Sequence, residues 1–145
     1  MQDQRVKSAS RLFWIIAVLA LLWNLVGVFN FISQLTISAE TLEALSPEER
    51  ALYENTPVWV LTAFALAVSA GTLGAVALLF RRAFAVHLFS LSLVGIIVQF
   101  SHMIFMTNAV EVLGYQVLPG AGLIFAIGVF LFLYSRRCAA QSILH

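Results

Sequence analysis

The sequence predicts an all-α polytopic membrane protein, with four transmembrane helices in an antiparallel bundle. Three observations carry this. Of the 145 residues, 61% are hydrophobic and only 10% charged, where a soluble domain holds about 25% charged residues. Four long apolar stretches contain no Asp, Glu, Lys or Arg. The basic residues cluster on one side of a four-span alternation. A soluble chain this poor in charge could not cover its surface with polar groups, and mean hydropathy is +0.96. That excludes a soluble enzyme and a disordered chain. With 8 basic against 7 acidic residues, net charge +1, nucleic acid is excluded as a partner too.

Each span follows from the need for about 20 apolar residues to cross a bilayer. The stretches are residues 12–32, 58–80, 83–106 and 117–134 of one domain, 1–145. Their runs are continuous, where a barrel would alternate in strands of about ten residues. The first span follows Arg5, Lys7 and Arg11, as a signal peptide would. Its apolar run exceeds the h-region of such a peptide and no A-x-A-like site follows, so it reads as a retained span. Arg5, Lys7 and Arg11, then Arg81 and Arg82, then Arg136 and Arg137 all fall on one side. Arg50 stands on the other beside Glu40, Glu43, Glu48, Glu49 and Glu54. Cations stay cytoplasmic, so both termini are expected inside. The lone Cys138 allows no intrachain disulfide.

The outer loop, 33–57, is expected to be helical. Ser46-Pro47-Glu48-Glu49 reads as an N-cap, a proline at the first helical position and a capping-box Glu. That helix would run to about Asn55, after a shorter turn from Ala39 to Leu45. Either the loop caps the bundle or it is an acidic solvated connector. Thr56-Pro57 reads as a second cap-plus-proline pair opening the second span. The Arg81-Arg82 connection is so short that spans two and three must be antiparallel neighbours.

Small residues mark the packing face. Span two carries Ala63, Ala67, Gly71 and Ala75 at four-residue spacing, with Gly74 beside them, and Gly122 and Ala126 form a shorter version in span four. Such spacing lets helix backbones approach closely in lipid. Span three carries Ser92, Gly95, Gln99, His102 and Met106 at spacings of 3, 4, 3 and 4, hence one helix face. Polar groups facing lipid are costly, so this face should point into the bundle. Asn24 near the midplane and Asn30 near the outer end of span one could join Gln99 and His102. Together they would form one polar pocket open to the outside, with Trp23 or Trp59 to stack on a sugar-like ring. The alternative is interhelical hydrogen bonding, worth about 0.6 kcal/mol per pair. A proton-carrying His102, with Glu111 as partner, is a further possibility. His87 and His102 lie about 22 Å apart along one helix, so no metal or cofactor site is expected. No nucleophile–base pair or intramembrane carboxylate pair is visible, so no enzyme activity is expected.

Several stretches carry a resemblance: Leu22-Trp23-Asn24-Leu25-Val26-Gly27-Val28, Thr56-Pro57-Val58-Trp59-Val60, Gly71-Thr72-Leu73-Gly74, Gly95-Ile96-Ile97-Val98-Gln99 and Asn108-Ala109-Val110-Glu111-Val112. Through them the chain resembles a family of small bacterial four-span inner-membrane proteins often labelled sugar transporters. The resemblance implies a carrier in the bacterial inner membrane. Four helices leave little room for alternating gates, so a carrier should be a homo-oligomer, with span two or span four at the seam. Three functions follow as expectations. The first is a homo-oligomeric carrier or binder of a small neutral solute. The second is an accessory or scaffold protein that packs against a larger membrane complex or self-assembles. The third is a lipid or quinone binder, suggested by 12 Phe together with Met103 and Met106.

Overall fold

The computed structural model describes residues 8–145. Arg5 and Lys7 of the basic leader lie outside the described residues. The chain is helical throughout this range, with seven α-helices and one π-helical turn among the described residues. They are α1 (Arg11–Leu35), α2 (Ala39–Ala44), α3 (Pro47–Glu54), α4 (Val58–Leu79), α5 (Ala85–Ser101), α6 (Ala109–Leu113) and α7 (Val117–Ala140). The π turn, His102–Met106, continues α5. Four segments are long and apolar enough to cross a membrane: α1, α4, α5 with its π turn, and α7. The protein is a multi-pass membrane protein built as a helix bundle.

The spans match the sequence expectation within a few residues except at the last. There, α7 continues through Arg136 and Arg137 to Ala140. A run of apolar residues marks where hydrocarbon ends, whereas a helix ends where its hydrogen bonds do. Ser10 starts α1 by accepting a hydrogen bond from the Phe13 N–H at 3.2 Å.

The four long helices pack in the order α1, α4, α5, α7, with α4 and α5 forming the central pair. As its composition predicts, α4 is the packing helix. Ala63, Ala67, Gly71, Gly74 and Ala75 are all buried. The closest approach of backbones is at Gly95 of α5, where a Cβ would stand 2.7 Å from the Ala63 carbonyl oxygen and 3.0 Å from the Ala67 nitrogen. Only glycine admits that approach. Apolar burial drives little between helices in lipid, so this backbone contact and its dispersion energy hold the pair. Gly122 and Ala126 behave differently: both are exposed, and a Cβ at Gly122 would meet nothing within 4 Å. Within the bundle, α7 instead leans on α5 through Gly128, against Ile96 and Leu93.

One end of the bundle is closed. Phe13, Ala17 and Ala20 of α1, Ala75 and Leu78 of α4, Ala85 and Phe89 of α5, and Leu131 and Cys138 of α7 form one buried cluster. Buried Leu144 completes it from the tail after α7. That tail docks on the α4–α5 turn: the His145 N–H donates to Arg81 O (2.9 Å), and the Ala83 N–H donates to His145 O (3.0 Å). Arg81 Nε donates to Ile143 O at 3.0 Å. These bonds hold Arg81 in the left-handed region, φ 56°, which costs about 1–2 kcal/mol for a non-glycine residue. Arg11, Arg82, Arg136 and Arg137 belong to the helix ends around this closed cluster.

At the opposite end, the loop caps the bundle. Ser46 and Glu49 form the expected capping box, with bonds of 3.2 Å in both directions, and α3 packs on α6. Arg50, the lone basic residue at this end, donates from Nε to Leu42 O (3.0 Å) and from its terminal nitrogen to Glu43 O (3.1 Å). It thereby satisfies carbonyls at the C-terminus of α2, the end that favours a cation. Thr56 does not cap α4 as its sequence suggests. Its hydroxyl donates to Leu52 O at 2.6 Å, closing α3 instead, and Pro57 stands at the N-cap of α4 with no side-chain cap bond.

Gly95→Ala is expected to destabilise the bundle by about 1–3 kcal/mol through overpacking, whereas Gly122→Ala shifts it by less than about 0.5 kcal/mol. Reversible unfolding of the two variants in mixed micelles checks this pair.

Candidate functional site

The polar face of α5 divides according to what stands opposite each residue. Ser92 is buried and its hydroxyl donates to the Ala67 carbonyl at 2.7 Å, an interhelical bond. Gly95, one turn on, makes the backbone contact with α4. Gln99, the next residue on the face, meets no such partner. Its amide forms no side-chain hydrogen bond among the described residues, and it lines two cavities at once. His102 follows in the π turn, edge-on to Trp59 with ring centroids 5.2 Å apart and planes at 89°. The wider π turn changes the phase of the face. Met106, expected on the same stripe, is 67% exposed as a result.

The first cavity lies mid-bundle and measures about 140 Å³. Trp23, Asn24, Gly27 and Asn30 of α1 line it, with Phe64, Ala67 and Val68 of α4, Ser92, Ile96 and Gln99 of α5, and Ile124 of α7. Among the described residues, no ionisable side chain lines it. Asn24 is held by a back-bond from Nδ2 to Ala20 O at 2.8 Å. Its Oδ1 lies over Gly71, where any Cβ would collide with it. Gly71 therefore does more than pack: its missing side chain is the space the Asn24 amide occupies. The Asn30 side chain forms no hydrogen bond among the described residues, so the amides are not paired to each other as interhelical glue requires.

The second cavity, about 260 Å³, is a vestibule at the loop end. Gln34, Glu49, Tyr53 and Thr56 line it, with Gln99, Phe100, His102, Met103 and Thr107. Gln99 and Phe100 belong to both cavities, so they form the partition between vestibule and mid-bundle space.

Of the residues singled out in the sequence, Trp23, Asn24, Asn30 and Gln99 converge on the inner cavity, and His102 with Gln99 on the vestibule. Trp59 lines neither and touches the site only through His102. The carboxylate sharing the vestibule with His102 is Glu49, and Glu111 is exposed outside it. Gln34, on the same α1 face as Asn24, also lines the vestibule; Glu49, Tyr53 and Thr107 were not legible as site residues. All three belong to the loops or their caps, and Glu49 carries a capping signal that accounts for it locally. Among the described residues no group of His, Cys, Asp and Glu has the arrangement of a metal site.

Fold and site together define a four-span membrane bundle with a neutral polar cavity and a loop-capped vestibule. No family model, curated protein or solved structure matches the chain.

Because Asn24 occupies the space that Gly71 leaves, the two positions should be coupled. Gly71→Ala is expected to destabilise the protein, and the Asn24→Ala/Gly71→Ala pair to recover at least 0.5 kcal/mol of the additive expectation, at the order of magnitude found between contacting residues. A double-mutant unfolding cycle measures it.

Proposed function

We propose that this protein is a bacterial inner-membrane binder or carrier of a small neutral polar solute, acting as a homo-oligomer, with both termini cytoplasmic. One observation carries the reading: Gln99 stands unpaired on the partition between two cavities, one of them lined by further amides. Gln99 is half-buried and Asn30 exposed, so both amides are accessible to hydrogen-bond a ligand. A neutral solute that both donates and accepts is the chemistry they match. The resemblance to four-span proteins labelled sugar transporters points the same way.

The charges support the orientation. The described cations other than Arg50 belong to the closed end, and the carboxylates of α2, α3 and α6 to the vestibule end. With the cations retained in the cytoplasm, the vestibule faces outward. The small-residue stripe of α4 is consumed inside the bundle, so α7 with exposed Gly122 and Ala126 supplies the seam between copies. The same open face supports a second reading, an accessory protein that docks α7 on a larger membrane complex. No catalytic role is proposed.

A thermal-shift panel of glycerol, polyols and hexoses on the purified protein tests the solute reading. A saturable rise in Tm is expected, with affinity reduced about two- to tenfold in Gln99→Ala, the scale of one net hydrogen bond. No shift with any solute, together with co-purification of a larger complex, would favour the accessory reading. In a Cys138→Ser background, a cysteine replacing Glu43 should react with impermeant maleimide in intact cells. One replacing Arg82 should react only after lysis, and the reverse pattern would invert the topology.

A further inference from the structure

The inner cavity continues into the membrane-facing surface. Helices α1 and α7 meet near the closed end through the Phe13 and Tyr134 rings, 6.5 Å apart. Further along, they part. Between them runs an apolar groove of about 470 Å³, lined from Ile16 to Val26 on α1 and from Ile127 to Leu131 on α7. On α1 that stretch covers about 15 Å at 1.5 Å per residue. Trp23 and Val26 line both the groove and the cavity. The polar cavity and the apolar groove are therefore neighbours along one helix, the cavity toward the vestibule end and the groove toward the closed end.

We infer that the site takes the uncharged polar head of an amphiphile in the amide-lined cavity, with its hydrocarbon tail laid in the α1–α7 groove. The inference rests on the solute-binding reading and names the ligand class for the same site. Three observations support it. The cavity, about 140 Å³, compares with an engineered void of about 150 Å³ that accepts benzene. A glycerol-sized head fits that space. Among the described residues no charged side chain lines either the cavity or the groove, so a phosphate-bearing head would enter without a partner there, at high desolvation cost. Trp23 and Val26 also line both spaces, so a head in the cavity and a tail in the groove can belong to one molecule. Entry between α1 and α7 needs no gate through the vestibule.

The test uses the full chain in phosphatidylcholine nanodiscs. The Trp14→Phe/Trp59→Phe variant leaves Trp23 as the only fluorophore of its kind, at the junction of groove and cavity. Tail-brominated monoacylglycerol is expected to quench it saturably, at a mole fraction at least tenfold below that needed by tail-brominated phosphatidylcholine. Val26→Phe, which fills the junction, should abolish the saturable component, and Gln99→Leu, which removes the head contact, should weaken it about two- to tenfold. In the unaltered protein, a diazirine-tailed monoacylglycerol should label the segments 16–26 and 127–131, and excess unlabelled monoacylglycerol should compete it away. Equal, non-saturating quenching by both lipids, or labelling that no competitor reduces, would mean solvating lipid only and would overturn the inference. If free glycerol or a hexose still raised Tm in that case, the solute reading would survive without the tail. If nothing raised it, both would fall.

Discussion

The close approach of α4 and α5 at Gly95 is the contact on which the other placements depend. Hydrocarbon offers little drive to bring apolar helices together, so association needs backbones near enough for dispersion to count. Ala63 and Ala67 on one side and Gly95 on the other provide that proximity, and Ser92 adds a hydrogen bond to the Ala67 carbonyl beside it. The remaining long helices then attach to this pair, α1 to α4 and α7 to α5. Because they flank different members of the pair, they converge only where Phe13, Leu131 and Cys138 fill the space between them.

The divergence of α1 and α7 accounts for the cavity. Asn24 and Asn30 on α1 and Gln99 on α5 line a space bounded also by α4 and, on α7, by Ile124. Two of the polar residues are absorbed locally: Ser92 by α4, and the Asn24 nitrogen by its own helix at Ala20. The Gln99 and Asn30 amides have no such partner among the described residues. The polar stripe is thus part structural bond and part cavity lining, and the boundary between the two falls at Gly95.

Charge and capping organise the ends. The capping box at Ser46 and Glu49 starts α3, and Arg50 closes α2. The single cation at the vestibule end therefore serves as a local helix cap, which leaves the asymmetry of the other arginines intact. At the closed end the tail bonds hold the turn at Arg81. One end is pinned by backbone hydrogen bonds and a packed cluster, while the other is covered by short helices over a vestibule.

The sequence alone determined the class, the four spans, the capped loop helix and the role of α4 as packing helix. Each is a local consequence of hydrophobic run length, side-chain size at helical spacing, or cap chemistry within four residues. It also placed Asn24, Asn30 and Gln99 on faces able to meet. Only the tertiary structure decided that Ser92 is spent on Ala67, that Gly71 is the seat of the Asn24 amide, and that Gly122 and Ala126 stay open. It alone placed Glu49 rather than Glu111 in the vestibule that His102 lines, and opened the groove between α1 and α7. Those outcomes depend on which helix stands opposite each residue, and on the phase change at the π turn, neither of which the periodicity of a single helix encodes.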